Sequence, residues 1–379
     1  MKKIRLVIIS EKTRYHFQKP LEYFSRIEII HLYKSHYPDM RPQEFNVKLV
    51  KYKNIFDLWG KLKELKPDLI QGLDPYYGYS RFKIPIKIIL ILKIIFLFSK
   101  VYKVDYFFPI LENILPYQKY GFFAGFIMKN IVKIYATGAK FIFYLNAGAR
   151  QNLIYLNIPD NKISYALWGI WGLNVNAFKA KKENKIINNI LFVGRLIEQK
   201  GLQFLIDAMP NILNKFPDAK ITIVGEGDYK KKLTEQINSL KLEKKCIFLG
   251  QKTGKNLIQC YQKADIFVSP SYSHKYSAEQ ICFVNIEAMS CGLPLVTTRS
   301  GSIQEYVVEN KNCFLVNEKN SKALSYAIIK ILTNQELKQK MSNYSRNYAL
   351  KRYNAKKNVR NLEKIILEKI KHARSNIQN

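Results

Sequence analysis

Short, almost continuously apolar runs alternate with longer segments of helical periodicity along the first half of the chain. The runs predict seven strands, at residues 4–10, 27–33, 47–52, 68–73, 104–110, 141–146 and 164–167. Helical periodicity separates most of them, most clearly at residues 15–24, 79–100 and 122–136. Apolar strands joined by helices are typical of a parallel sheet covered on both faces, so this half predicts a doubly wound α/β domain.

The second half repeats this alternation more regularly. It predicts six strands, at residues 190–193, 220–224, 246–249, 265–269, 295–298 and 314–316. After the first of them, apolar residues recur on one helical face, at Leu202, Leu205, Ile206, Met209, Ile212 and Leu213. Residues 179–189 are polar, charged and without periodicity, which is typical of a linker.

These patterns predict two α/β domains, at residues 1–178 and 186–354, in a chain of 379 residues. The length fits two domains of ordinary size. Ligands of open parallel sheets bind beyond the carboxyl ends of the strands. We therefore expect a site where the strand ends of the two domains face each other across a central cleft.

The formal net charge is +33, and it is spread along the chain, with +15 in residues 1–178 and +18 in the rest. One explanation is compositional drift, because Lys, Ile, Asn and Tyr are all abundant. Another is attraction to an anionic membrane surface. We do not expect nucleic-acid binding, since no zinc-ligand spacing or aromatic-basic recognition motif accompanies the charge.

The cysteines are odd in number and lie in the second half, at Cys246, Cys260, Cys282, Cys291 and Cys313. Without paired spacing they are typical of reduced, mostly buried thiols, so we expect a cytoplasmic protein. Residues 84–98 form an apolar stretch that is too short to span a bilayer and carries Pro85, Lys87 and Lys93. They predict either a buried helix or a helix lying in the membrane interface, which would make the protein peripheral on the cytoplasmic face.

Two glycine-containing motifs follow predicted strands of the second half. Gly194-Arg195 and Lys200-Gly201 place two cations between a strand and a helix. Such cations suit a diphosphate, although solvated loop cations in a lysine-rich chain explain them equally well. Gly225-Glu226-Gly227 permits a tight turn and close backbone approach, but an ordinary turn has the same composition.

A third motif carries two carboxylates around a predicted helix start. Glu279 and Glu287 are separated by seven residues, with the helix beginning near Cys282. The amides of Phe283 and Val284 would point out of the start of that helix, where anions bind. One segment thus predicts a phosphate site flanked by acceptors for hydroxyl groups; the alternative is a helix with one dipole-favoured acid and one surface acid.

Taken in order, these motifs resemble the donor domain of the retaining GT-B glycosyltransferases of family four. The resemblance is continuous from about residue 189 to 353 and weaker before it. It implies two Rossmann-like domains, the first binding the acceptor and the second a nucleotide diphosphate sugar. It further implies that a final helix, at residues 355–379, packs back onto the first domain.

The resemblance also implies roles for individual residues. Arg195 and Lys200 would neutralise the diphosphate, and Glu279 would contact the transferred sugar. The donor-binding set would comprise Gly194, Gly225, Gly227, Leu249, Gly250, Phe283, Val284 and Glu287, with Glu287 on the ribose and the backbone around Gly250 on the base. No metal or other cofactor is expected, since positive side chains and a helix end do this work, and the anomeric configuration would be retained.

Three positions depart from the family pattern. Glu279 is followed by Gln-Ile-Cys where the family often has Gly-Phe-Gly, and the segment 11–14 lacks the glycines expected of a loop after the first strand. Glu112-Asn113 stands where many members have a histidine, so Glu112 is a candidate substitute or an ordinary helix-start acid. The expected activity is transfer to a glycan or lipid-linked acceptor; a non-catalytic nucleotide-sugar-binding scaffold and a nucleic-acid-binding protein are the alternatives.

Overall fold

The computed structural model of the chain divides into two compact units. The first comprises Met1–Gly172 with Ala355–Asn379, and the second Leu173–Asn354. The structure describes residues 3–13, 15–36, 46–76, 85–168, 172–179, 188–274 and 277–375. Most of the predicted linker, residues 180–187, lies outside the described residues.

The first unit is built on a parallel sheet of seven strands in the order β3-β2-β1-β4-β5-β6-β7. The strands are β1 Ile4–Thr13, β2 Ile27–His36, β3 Lys48–Lys51, β4 Leu69–Gln71, β5 Asp105–Ile110, β6 Phe141–Tyr144 and β7 Ile163–Tyr165. The helices are α1 Tyr15–Gln18, α2 Ile55–Leu65, α3 Ile86–Tyr102, α4 Pro116–Tyr120, α5 Phe122–Gly138 and α6 Ala147–Tyr155. Among the described residues, one apolar cluster lies on each face of the sheet, as expected when strands are buried on both sides.

The second unit has a parallel sheet of six strands in the order β10-β9-β8-β11-β12-β13. The strands are β8 Asn189–Val193, β9 Lys220–Val224, β10 Cys246–Phe248, β11 Ile266–Ser269, β12 Leu295–Thr298 and β13 Cys313–Val316. The helices of this unit are α7 Leu202–Leu213, α8 Lys230–Ser239, α9 Gly254–Gln262, α10 Phe283–Ser290, α11 Ser321–Thr333 and α12 Gln335–Arg352, and α13 Ala355–Ser375 returns to the first unit. In each sheet the chain first adds strands on one side of its first strand, which is β1 or β8, and then adds the remaining strands on the other side. This is the doubly wound arrangement.

Every predicted strand is confirmed, with differences at the ends. Among the largest is that at β1, where residues 11–13 were expected to form a loop and β2 extends by three residues as well. Residues 11–13 continue the strand instead, because Lys12 and Thr13 pair with Ser35 and His36 of an equally long β2. The predicted helix at 15–24 is also shorter: α1 ends at Gln18, and a 3-10 turn follows that contains Pro20.

The apolar stretch at residues 84–98 supplies most of α3, and residue 84 lies outside the described part. Five side chains of this helix are buried, at Ile88, Ile91, Leu92, Ile95 and Phe98. The stretch therefore belongs mainly to the core of the first unit, which is the first of the two interpretations. Nowhere in the described ranges does a helix have both the length and the apolarity that crossing a membrane requires.

The last helix, α13, packs against the segment that precedes β2. Glu363, which is 2% exposed, accepts hydrogen bonds from the amides of Ser25 at 2.9 Å, Arg26 at 2.6 Å and Ile27 at 2.9 Å. A buried carboxylate that three amides satisfy is a specific tie between sequence-distant elements. This contact, together with the packing of Val359, Leu362 and Ile366 into the apolar core, joins α13 to the first unit.

The boundary between the units falls slightly before the predicted residue 178. The amide of Leu173 donates to the carbonyl of Tyr353 at 2.8 Å. Arg346 donates to the carbonyl oxygens of Val175 at 3.0 Å and Phe178 at 2.6 Å. Residues 173–178 therefore belong with the second unit, since helix α12 holds their backbone.

Candidate functional site

The loops that follow β8, β9 and β10 are hydrogen-bonded to one another at the carboxyl edge of the second sheet. The amide of Gly194 donates to the carbonyl of Val224 at 3.0 Å, and that of Leu196 to the carbonyl of Glu226 at 2.9 Å. The amide of Gly225 donates to the carbonyl of Gly250 at 3.0 Å. The three glycine-containing loops thus form one connected rim, as required of a site whose donors must be held in place.

The glycines of this rim are needed for contact between loops. A Cβ at Gly225, where φ is +142°, would lie 1.9 Å from the carbonyl oxygen of Gly194. A Cβ at Gly227 would lie 2.3 Å from the carbonyl oxygen of Leu196. A Cβ at Gly201, where φ is +70°, would likewise lie 1.9 Å from the carbonyl oxygen of Pro270. Sequence reasoning expected close approach to a ligand, whereas the geometry gives each glycine a packing reason of its own.

Two of the predicted cations lie at this rim. Arg195 is exposed directly after β8, and its charge acts on Lys200. Lys200 forms an ion pair with Glu279, and both side chains are partly buried. Burial alone would lower the pKa of Lys200, but the Glu279 carboxylate outweighs it and the pKa stands above its usual value. Arg195, Lys200 and Glu279 are therefore together, with a firmly charged ammonium among them.

Helix α10 begins beside this group. Cys282, directly before it, is buried and close enough to Lys200 and Glu279 for their charges to act on its thiol. The hydroxyl of Ser269, at the end of β11, donates to Asn285 at 2.6 Å, and a further hydrogen bond of 2.9 Å links Ser269 to Thr297 of β12. These buried polar contacts fix the first turn of α10, including the half-buried Phe283, against the strand ends.

Glu287, the second predicted carboxylate, is 3% exposed on the inner side of α10. The hydroxyl of Tyr261 donates to it at 2.6 Å. Burial raises the pKa of Glu287 to about 7, and the bond from Tyr261 opposes part of that shift. The carboxyl is thus held in one place and titrates near neutrality, which is typical of groups at functional sites.

The segment predicted to hold a base closes the rim at β10. Leu249 is 37% exposed, and Gly250 has φ of +69°, a conformation that favours glycine. The ammonium of Lys230 lies 5.6 Å from the ring centre of Phe248 and 3.1 Å from Glu226. An apolar side chain and an accessible backbone turn therefore lie on the same edge as the cations.

Glu112 belongs to the first unit and has a different environment. It is 5% exposed, forms an ion pair with Lys119, and accepts from the amides of Asn113 at 3.0 Å and Ile114 at 3.2 Å. Lys119 also donates to the carbonyl of Tyr76 at 2.7 Å. These partners use the carboxylate within the unit, so the geometry gives Glu112 a structural role and adds no support to the catalytic role suggested for it.

Sequence reasoning missed two residues that position the site. Tyr261 lies within α9 on a buried face, where nothing distinguishes it from a core aromatic residue. Arg346, on α12, donates to the carbonyl of Ser290 at the end of α10 as well as to residues 175 and 178. Each acts through a contact across many residues, which local spacing does not reveal.

Solved structures share the fold of the whole chain. The Anabaena protein HepE, solved in complex with UDP, superposes with a TM-score of 0.76 at 17% identity, over 97% of this chain and 100% of that one. Such an identity establishes the fold alone, and the fold is that of the GT-B glycosyltransferases. The expected fold class of two Rossmann-like parallel-sheet domains is confirmed.

The family comparison concerns the second unit. Residues 175–348, which lie within the second unit, match the family described as glycosyl transferases group 1. An uncharacterized glycosyltransferase of Methanocaldococcus jannaschii is 31% identical over 225 residues, which cover 56% of each chain. A GDP-mannose-dependent α-(1-6)-phosphatidylinositol monomannoside mannosyltransferase of Mycolicibacterium smegmatis is 28% identical over 163 residues, 42% of this chain and 43% of that one. The matches thus span about half the length of these relatives.

Proposed function

We propose that the protein transfers a sugar from a nucleotide diphosphate donor, bound by the second unit, to an acceptor hydroxyl. The observation that carries the proposal is the meeting of Arg195, Lys200 and Glu279 with the start of α10 at one sheet edge. Two cations beside a helix N-terminus suit a diphosphate, and a neighbouring carboxylate suits a sugar. The family of residues 175–348 supports the same chemistry.

In this reaction the bond between the anomeric carbon and the diphosphate oxygen breaks, the acceptor hydroxyl oxygen forms a new bond to that carbon, and the hydroxyl proton passes to the departing diphosphate. Arg195 and Lys200 would stabilise the negative charge that develops on the departing diphosphate. The amides of Phe283 and Val284 would add donors from the helix start. Because these groups supply positive charge without a metal ion, we propose metal-independent transfer, with retention of configuration at the anomeric carbon.

Glu279 would exchange its contact with Lys200 for hydroxyl groups of the transferred sugar. Such an exchange leaves the ammonium for the diphosphate and places the carboxylate where positive charge develops on the sugar ring. Glu287, held by Tyr261, would accept hydrogen bonds from the ribose hydroxyls. The backbone at Leu249 and Gly250 would meet the base, and the rim glycines Gly194, Gly225 and Gly227 would keep the loops in register.

Similarity to other proteins supports a particular class of donor and of acceptor. HepE was solved with UDP and with UDP-glucose, and the mycobacterial relative is named for GDP-mannose. We therefore propose a UDP- or GDP-hexose donor. The same relative acts on a phosphatidylinositol glycolipid by its name, which supports a lipid-linked acceptor over a free glycan and a peripheral position on the cytoplasmic face of a membrane.

A non-catalytic nucleotide-sugar-binding scaffold is the second candidate. The residues after Glu279, Gln-Ile-Cys, favour it, because they put a buried thiol at Cys282 beside the proposed sugar position. The thiol has its pKa raised to about 12, chiefly by burial, and so offers no charge to the reaction. A scaffold would bind the donor with the same rim and release no nucleotide.

Turnover separates the two candidates. Purified protein would be incubated with UDP- and GDP-hexoses and a panel of glycan and lipid-linked acceptors, with and without EDTA, and the product linkage read by NMR. We expect nucleotide release coupled to formation of a product that keeps the anomeric configuration of the donor. This activity should be unaffected by EDTA and lost in Arg195→Ala. Lys231→Ala, an exposed lysine of α8, is the matched control. Donor binding with no transfer to any acceptor would favour the scaffold.

A further inference from the structure

Three phenylalanines project from the first two turns of α5. Phe122 is 89% exposed, Phe123 75% and Phe126 61%. The opposite face of the same helix is firmly packed through Met128, Val132 and Tyr135, among others. Exposed aromatic rings this close together on one helix end are unusual in a protein surface that has no partner.

The helix end packs closely against α4. Gly125 packs so closely on α4 that a Cβ would lie 2.6 Å from the Cα of Tyr117. The C-terminal part of the outer face turns polar, with Asn130 and Lys133 exposed among Ile134 and Thr137. The apolar surface is therefore a tip at the start of α5, which we call the phenylalanine tip and define as Phe122, Phe123 and Phe126.

Tyrosine and lysine side chains border the tip. The ring of Tyr117, 44% exposed, lies 6.0 Å from that of Tyr155, between centroids. The ammonium of Lys129, one turn after Phe126, lies 4.1 Å from the Tyr155 ring centre. Phenylalanine at the centre with tyrosine and lysine at the rim matches the depth profile of a bilayer interface, where amphipathic rings and long cationic side chains occupy the headgroup level.

The charge of the surrounding sequence is predominantly positive. Residues 75–159, which contain α3 to α6, hold eleven Lys or Arg and two Asp or Glu, a net of +9. One of those two acids, Glu112, is buried and paired with Lys119. Even in this basic chain, the rest of residues 1–178 is nearer balance, with sixteen cations and ten acids. An apolar tip in a region of positive charge is complementary to a surface that is both apolar and anionic.

We propose that the phenylalanine tip and its basic rim dock the first unit on the interface of an anionic phospholipid bilayer. A short apolar insertion and a polybasic surface are each weak membrane anchors, and together they give stable, salt-sensitive binding. A projecting tip also suits a deformable bilayer better than a protein groove that would have to match three rings. This assignment moves the membrane contact from the largely buried α3 to the start of α5, and it does not depend on glycosyl transfer.

Vesicle flotation tests the proposal. The full chain would be mixed with vesicles of phosphatidylcholine alone or with phosphatidylglycerol at three parts in ten, at low and high salt. We expect flotation with the anionic vesicles at low salt, reduced by high salt and by Lys129→Gln with Lys133→Gln. Serine at all three tip positions should reduce the bound-to-free ratio at least tenfold, whereas Phe56→Ser, which removes an 81% exposed phenylalanine of α2, should leave it unchanged.

A second readout reports on the tip without removing it. In Phe123→Trp, the added indole emission should shift to the blue on addition of anionic vesicles and be quenched by brominated lipid. Unchanged thermal unfolding and nucleotide binding of the serine variant would show that its defect concerns lipid alone. The proposal is overturned if the wild type ignores anionic vesicles at low salt, if the serine variant floats like the wild type, or if the tip is needed for self-association or a protein partner instead of lipid.

Discussion

In the first unit Glu112, which follows β5, is buried and paired with Lys119, whereas in the second unit Arg195, which follows β8, is exposed. Both groups stand at the carboxyl edge of a parallel sheet of the same doubly wound kind. In one case the protein has neutralised the charge internally, and in the other it leaves the charge facing outward. The comparison teaches that topology marks where a ligand can bind, while the partners of the charged side chains decide whether one does.

The first unit has a further difference. Its exposed phenylalanine tip lies on a helix, whereas the acids that follow β4 and β5, Asp74 and Glu112, are buried. Asp74, after β4, accepts the amides of Tyr76 at 2.9 Å and Leu111 at 3.0 Å, and burial raises its pKa to about 6. Together with Glu112 and Lys119, this group fixes the loops of the first unit.

The largest effect is expected from breaking the buried pair of the first unit. Lys119→Met should lower the free energy of unfolding by about 3–5 kcal/mol, because Glu112 would stay buried without its partner. Chemical denaturation measures this change. Lys61→Met, which breaks the exposed pair with Glu64, is the control and should cost less than about 1 kcal/mol. Equal, small losses of unfolding free energy in the two variants would mean that the pair of Glu112 and Lys119 does not stabilise the fold.

The corresponding change in the second unit should affect catalysis more than folding. Lys200→Met removes one of two charges proposed to stabilise the leaving diphosphate, which should lower kcat/KM by about 10²–10³-fold. Steady-state kinetics with the preferred donor measures the loss. Because Lys200 is only partly buried, unfolding should change far less than in Lys119→Met. A loss of kcat/KM below fivefold would mean that Lys200 does not stabilise the leaving diphosphate.

Acidity should change donor affinity through Glu287. Ribose hydroxyls bond best to the ionised carboxylate, and with a pKa of about 7 its ionised fraction falls about tenfold from pH 8 to pH 6. Affinity for a nucleotide sugar, measured by calorimetry, should fall by a similar factor. Tyr261→Phe removes the hydrogen bond that lowers this pKa and should move the midpoint upward. In Glu287→Gln the pH dependence should vanish; its persistence there would assign the titration elsewhere.

The same proton has a defined effect on stability. Between pH 4.5 and about 7 the folded protein keeps the proton of Glu287 that the unfolded chain releases. Unfolding free energy should therefore fall as pH rises through this window, by about 3 kcal/mol, and this group should contribute no further change above it. Glu287→Gln should flatten that part of the profile.

The smallest effect concerns two glycines with open space around them. In Gly60→Ala, inside α2, the Cβ would meet nothing within 4 Å, so helix propensity should raise stability by about 0.5–1 kcal/mol. Gly254 has equal space but φ of +54°, so alanine there should destabilise. Thermal unfolding distinguishes the two. Matching signs would show that space, and not backbone conformation, sets the outcome.

Much of the fold could be predicted because its determinants are local. Near-continuous apolar runs predicted every strand, and the motif around Cys282 predicted where α10 begins. The pairing of Glu112 with Lys119 could not be predicted, since a separation of seven positions does not say which way either side chain turns. Residues 11–13 were expected in a loop because nothing in their own sequence shows that they form a strand. They do so by pairing with β2, whose length local patterns do not reveal.

The candidate site divides in the same way. Residues close in sequence, such as Glu279 and the start of α10, were grouped correctly by spacing. Tyr261 and Arg346 escaped notice because each acts through one long-range contact with α10. The phenylalanine tip escaped for a different reason: an apolar helix in an α/β domain is ordinarily buried, and only the structure shows which of its faces is outside.

The most direct test of the donor site is a thermal-shift measurement with UDP, GDP and ADP, without added metal, on the wild type, Arg195→Ala and Lys231→Ala. At ligand concentrations a hundredfold above Kd, binding adds about 2.7 kcal/mol of stability. We expect one nucleotide to raise the melting temperature of the wild type and of Lys231→Ala by a few degrees and to leave that of Arg195→Ala unchanged. No shift with any nucleotide, or an equal shift in Arg195→Ala, would contradict it.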